Sequence, residues 1–218
     1  MITPITNIGD PFILVHEGYY YHYSTSDAKG FIVYRSLDLK KWEHMGYCYT
    51  DSKVGYMDFW APEVFLKDQK FYMFFTSKNK ELDRLMTSVA VSESPLGPFI
   101  DCLDKPTFDF GYPTIDATLF KDGNQYYMYY VRDCSKNIVN GVHTSQIYGV
   151  KLKDDLITLD GEPVMLLTPS TPYEQRDPEW QWNEGPAMLK HNGKYYLSYS
   201  TNFFADKRYS VCYAVSDS

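Results

Sequence analysis

Asp10, Asp116 and Glu184 each stand ahead of an apolar run, in the segments GDPFILVH, IDATLFKD and NEGPAMLKH. A short polar turn and a tyrosine-rich stretch follow every time. One carboxylate ahead of one hairpin is an ordinary turn residue. Three that recur at the same place in a repeated pattern form a candidate site. Counted back from Tyr20, Tyr127 and Tyr196, the acids fall ten, eleven and twelve residues away. Carboxylates gathered at one place repel, so one keeps its proton near neutral pH while another stays ionised. Hydrolysis of a glycosidic bond uses that division. A carboxylic acid protonates the departing oxygen, and a carboxylate either activates water or attacks the anomeric carbon. The residues themselves leave the roles open.

The elements that must position these acids are repeated. The segments DPFILVHEGYYYHYST from Asp10, PEVFLKDQKFYMFFTS from Pro62, DATLFKDGNQYYMYYVR from Asp116 and EGPAMLKHNGKYYLSYST from Glu184 align as apolar strand, polar turn and aromatic strand. Their reference residues Tyr20, Tyr72, Tyr127 and Tyr196 are 52, 55 and 69 residues apart, so each repeat is longer than a hairpin. A third strand follows in IVYRSLDLKKWEHMG, SVAVSESPLGPFID and VCYAVSDS, with IYGVKLKDDLITLDGEP in that slot of the third repeat. Three or four strands per unit of about 50 residues is the signature of a β-propeller blade. The expected fold is therefore all-β, a single propeller domain over residues 1–218 with about four blades starting near 10, 62, 116 and 184. A β-sandwich is the alternative, but sandwiches do not usually repeat in this way. In a propeller the inner strands border one channel, so acids at their entrances converge. Glu63 lies nine residues before Tyr72, one place out of phase, and is set aside as a primary catalytic group. Nothing after Ser216-Asp217-Ser218 matches Pro95-Leu96-Gly97-Pro98-Phe99, so the chain ends inside its fourth repeat.

Composition narrows the partners. The chain has 218 residues, 44% of them hydrophobic, enough for a packed core. Lys and Arg number 21 against 28 Asp and Glu, and the net charge of -7 argues against nucleic acid or an anionic membrane as partner. Aromatics make up 17%, with 21 tyrosines, which suits half-buried strands and also stacking on the apolar faces of sugars. Cys48, Cys102, Cys134 and Cys212 show no metal-ligand spacing and read as free thiols. The N-terminal MITPITNIGD lacks the charged and apolar regions of a signal peptide, which leaves a cytoplasmic or a trimmed exported protein.

At these same residues the sequence resembles glycoside hydrolase family 43, five-bladed β-propeller enzymes that include arabinofuranosidases, β-xylosidases and arabinanases. The matches are Gly9-Asp10-Pro11, Phe59-Trp60-Ala61-Pro62-Glu63-Val64, Ile115-Asp116-Ala117 and Asn183-Glu184-Gly185-Pro186, in family order across nearly the whole chain. The resemblance implies inversion at the anomeric carbon, with Asp10 as general base on water, Glu184 as general acid, and Asp116 orienting Glu184 and holding its pKa high. Inversion needs acid and base about 6.5–9.5 Å apart. The place of Trp60 in its motif implies a sugar-stacking wall, with a buried core ring as the alternative; Trp180 and Trp182, just before Glu184, form either the rim of the leaving-group subsite or anchors of their loop, and the insert TPSTPYEQRDPEWQWN is a candidate specificity loop.

The family's fifth blade usually supplies an arginine toward substrate and a histidine near a central metal, and neither is assignable here. No cofactor is expected, and the central calcium or sodium ion of the family lacks its usual ligand. An open propeller edge invites self-association. Two other functions remain in view. One is a retaining, fructan-type five-bladed glycosidase, for which Arg176-Asp177-Pro178 would be the supporting motif. The other is an inactive or merely sugar-binding incomplete propeller.

Overall fold

A computed structural model describes residues 5, 8–25 and 27–218, and among them strand dominates. The chain divides into two compact units, residues 1–109 and 110–218. In the first, β1 (Gly9–His16), β2 (Tyr19–Thr25), β3 (Phe31–Ser36) and β4 (Glu43–Tyr49) form one four-stranded sheet in chain order. A second sheet is made by β5 (Met57–Lys67), β6 (Lys70–Asn79), β7 (Arg84–Ser92) and β8 (Ile100–Asp101), again in order. In the second unit, β9 (Thr114–Asp122) and β10 (Gln125–Arg132) lead to β11 (Ile138–Val139), β12 (Val142–Thr144), β13 (Gln146–Leu152) and β14 (Val164–Leu167). Then follow β15 (Trp180–Gln181), β16 (Asn183–His191), β17 (Lys194–Thr201) and β18 (Ser210–Ser216). The order β14-β13-β10-β9 makes the third sheet, β16-β17-β18 the fourth, and β11-β12-β15 a small extra one.

The first two strands of each large sheet form a hairpin closed by two residues: Glu17-Gly18, Asp68-Gln69, Gly123-Asn124 and Asn192-Gly193. In the first, second and fourth of these turns both residues have positive φ, as a turn matching the right-handed strand twist requires. Strand β1 alternates exposed and half-buried positions from Pro11 on, whereas β6 and β7 each carry five consecutive buried residues, so those middle strands are covered on both faces. Tyr23, Phe31, Val64, Met73 and Phe75 are buried together in the first unit, and Phe31 meets Phe59 and Phe75 edge to face. In the second unit Met128, Tyr130, Val131 and Ile147 are fully buried. Each such side chain is worth about 1.5–3 kcal/mol of burial. No helix among the described residues is long and apolar enough to cross a membrane.

The pairing corrects the repeat alignment in one respect. The third residue after each turn is Tyr21, Tyr72, Tyr127 and Tyr196, facing Leu14, Phe65, Phe120 and Leu189. The reference tyrosine of the first repeat is thus Tyr21 and not Tyr20, a slip that the run Tyr19-Tyr20-Tyr21 makes easy. Asp10 and Asp116 are then equivalent, as are Ala61 and Gly185, and Glu184 stands one residue ahead of that phase.

Candidate active site

Equivalent positions share an unusual backbone. Asp10, Ala61, Asp116 and Gly185 have φ of 49, 46, 55 and 58°, in the left-handed region. At each the strand pairing slips: between Gly9 and Phe12, between Trp60 and Glu63, opposite Tyr129 and Val131, and between Glu184 and Ala187. A β-bulge of this kind bends the strand entrance and re-aims its side chains. Left-handed backbone suits Gly and is tolerated by Asp, but a glutamate there is disfavoured. That explains Glu184-Gly185: glycine takes the left-handed place, and the longer acid moves to the residue before it. The two aspartates occupy the strained position themselves, at a cost of about 1–3 kcal/mol each.

In the second unit the bulges bring Asp116 and Glu184 to one place. The Gly185 N–H donates to Oδ2 of Asp116 at 3.0 Å, so Asp116 holds the peptide unit that carries Glu184. The Ser145 hydroxyl donates to Oε1 of Glu184 at 2.9 Å. Asp133 and Cys134 complete the surroundings, with one ligand-type atom each of Asp133, Cys134 and Glu184 lying within 4.8 Å of one another. Burial, and then the neighbouring Asp133 charge, push the Cys134 thiol up to about 12, so it stays S–H.

In the first unit Asp10 is exposed, and its Oδ2 accepts from the Thr25 hydroxyl at 2.6 Å. The same Thr25 oxygen accepts the Ala61 N–H at 2.9 Å. One threonine therefore ties the bulge of β1 to the bulge of β5, where half-buried Trp60 precedes Ala61. Glu63, set aside on phase, lies two residues past that bulge, opposite Phe74.

A family model described as "Glycosyl hydrolases family 43" matches residues 3–218. The chain belongs to glycosyl hydrolase family 43. It is 29% identical over 177 residues to a xylosidase/arabinosidase of Bacteroides ovatus, covering 72% of this chain and 52% of that protein. Against xylosidase/arabinosidase 43A of Humicola insolens the identity is 31% over 168 residues, covering 65% and 50%. The chain spans about half the length of these curated relatives. Among solved structures, a thermostable family-43 glycoside hydrolase superimposes with a TM-score of 0.94 and 44% identity, covering 100% of this chain and 71% of that one. An endo-1,4-beta-xylanase from Bacteroides thetaiotaomicron gives 0.82 and 32%, covering 97% and 69%. The all-β fold is accordingly of the five-bladed β-propeller type, with four blade sheets among the described residues.

In this family 43 chain a run of ring contacts passes through Trp182, two residues before Glu184. His143 stacks on Trp180 at 3.9 Å between ring centroids and 9° between planes, Trp180 lies 6.3 Å from Trp182, and Trp182 lies 5.4 Å from Phe203. Trp180 is in β15, which pairs in parallel with β12, so it anchors the insert. Asp177 accepts the N–H groups of Glu179 and Trp180, and Arg176 lies over the Tyr173 ring, so Arg176-Asp177-Pro178 builds a turn of the insert.

Two residues escaped the sequence reading, Ser145 and Glu174, and Asn183 entered it only within the Asn183-Glu184-Gly185-Pro186 match. Glu174 is 4% exposed and accepts four hydrogen bonds: from the Ser170 and Thr171 N–H groups at 3.1 and 2.8 Å, from Asn183 Nδ2 at 3.1 Å and from the Tyr199 hydroxyl at 2.8 Å. Burial pushes its carboxyl up, but these donors outweigh that and hold it below the usual range. It pins the insert to β16 and β17 immediately beside Glu184. The TPSTPYEQ stretch gives the only sequence hint, an acid three residues after a threonine, a turn-capping spacing.

The Asp133–Cys134–Glu184 group does not fit the calcium or sodium ion of the family. Calcium takes six to eight oxygens, whereas this set offers two carboxylates and a protonated thiol. A cleft of about 770 Å³ opens elsewhere in the second unit, lined by Phe120, Tyr127, Tyr195 and Leu197, and neither Asp116 nor Glu184 lines it.

Proposed function

We propose that the chain supplies the catalytic groups of an inverting glycosidase acting on arabinose- or xylose-containing glycans. Glu184 is the general acid, Asp10 the general base on water, and Asp116 the residue that orients Glu184; Trp60 and Trp182 offer rings to the sugar. The observation that carries this reading is the Gly185 N–H donated to Asp116, which couples two acids from neighbouring sheets at the entrance of the strand bearing Glu184. Membership of the family and the named activities of the relatives support the substrate class. The acid gives its proton to the glycosidic oxygen while Asp10 takes one from the attacking water, so the anomeric carbon inverts.

A panel of aryl α-L-arabinofuranosides and β-D-xylosides tests it. Turnover by the wild type is expected, with a loss of about 10²–10⁴-fold in Asp10→Ala and Glu184→Ala at unchanged circular dichroism. Proton NMR is expected to show the inverted anomer first. A retained anomer overturns inversion, and sugar binding without turnover leaves a binding module. Self-association belongs to the same proposal, because Val211, Tyr213 and Val215 are exposed on β18 at the edge of its sheet, and light scattering would read it as a dimer.

A further inference from the structure

We infer that Ser145 is a positioning residue for the acid, choosing which oxygen of Glu184 carries the proton that is delivered. The inference rests on Glu184 being the acid of the proposed reaction. Ser145 is fully buried and immediately follows β12; its N–H donates to the Gln181 carbonyl at 2.9 Å, so the parallel pairing of β12 and β15 sets its place. Its hydroxyl points at Oε1 of Glu184, 2.9 Å away. An ionised carboxylate only accepts, so the serine must be the donor when Glu184 is charged. The bond survives protonation of Glu184 when the proton sits on Oε2.

The reaction then strengthens that bond. The Oε2–H bond breaks as the proton moves to the glycosidic oxygen. The bond between that oxygen and the anomeric carbon breaks with its electron pair going to the departing oxygen, and Glu184 is left as a carboxylate. The hydrogen bond from Ser145 passes from neutral to charge-assisted, which is roughly twice as strong. An interaction stronger in the transition state than in the bound substrate raises the rate. Of the other groups that face Glu184, Cys134 is held as a thiol and contributes no charge, while Asp133, within 4.8 Å, and Asp116, through the Gly185 N–H, are the same in wild type and variant.

The dependence on leaving group reads this directly. In Ser145→Ala, kcat/KM for phenyl glycosides is expected to fall about tenfold, the loss of one such bond. For 2,4-dinitrophenyl glycosides, whose leaving group needs no proton, it should change less than twofold. The alkaline limb should move to higher pH, because the lost donor favoured the charged form. Equal losses for both leaving groups, or an unmoved alkaline limb, overturn the inference. Should Ser145→Ala fail to fold, Ser145→Cys, of similar size and a weaker donor, is read for the same split. Should the wild type turn over no aryl glycoside, the proposed function fails. The inference is then read by carbon-13 NMR of glutamate-labelled chain, the Glu184 signal being assigned by its loss in Glu184→Gln. Its titration midpoint is expected to rise in Ser145→Ala, and an unmoved midpoint overturns the inference.

Discussion

Replacing Glu174 by Gln removes one charge and turns one of two acceptor atoms into a donor. The wild-type carboxylate receives two bonds on Oε2, from Ser170 and Thr171, and two on Oε1, from Asn183 and Tyr199. Whichever way the glutamine amide turns, two of those donors face an NH₂ group. Asn183 and Tyr199 are 0% and 8% exposed, so water cannot readily take over on their side. A hydrogen bond to a charged group is worth about 1.5–3 kcal/mol. Losing two, and weakening two, should cost the second unit about 3 kcal/mol. At about 2–4 °C per kcal/mol for a chain of this size, its melting temperature should fall by about 6–12 °C at pH 7. The effect must also depend on pH. The folded carboxyl titrates below the unfolded value of about 4.3, so its stabilisation is fully present above that pH and is lost as pH falls through the folded value. Melting curves of wild type and Glu174→Gln between pH 7 and pH 3 should therefore converge in acid. A difference under 1 °C at pH 7, or one that persists undiminished at pH 3, would refute the assignment of Glu174 as the charged anchor of the insert.

Two more outcomes follow from the local geometry. Gly185→Ala places a Cβ on left-handed backbone, 3.4 Å from the Ser200 hydroxyl oxygen, and should cost about 1–3 kcal/mol while disturbing the Asp116 hydrogen bond; a melting temperature equal to wild type would count against the bulge as described. Cys48 and Cys134 are 1% and 5% exposed with thiols pushed up by burial, so iodoacetamide at pH 8 should leave both unlabelled in the folded chain and label them in guanidinium, as peptide mass mapping would report.

The sequence by itself determined the strands, the hairpins and the acids, because those depend on near neighbours: short apolar and aromatic runs, turn residues, and a carboxylate ahead of three of the four apolar runs. It also carried the family, through Trp60-Ala61-Pro62-Glu63 and Glu184-Gly185-Pro186. Tertiary structure alone decided the phase of those acids. The turn-to-strand count differs by one residue at Tyr19-Tyr20-Tyr21, and only the pairing shows that Gly185, not Glu184, is the counterpart of Asp10 and Asp116. It alone supplied Ser145 and Glu174 as well. Ser145 reaches Glu184 because β12 pairs in parallel with β15, a contact between segments distant in sequence with no repeat to announce it. Glu174 counts because its carboxylate is buried among four donors, and burial of a charge is decided by everything that packs around it rather than by the residues beside it in the chain.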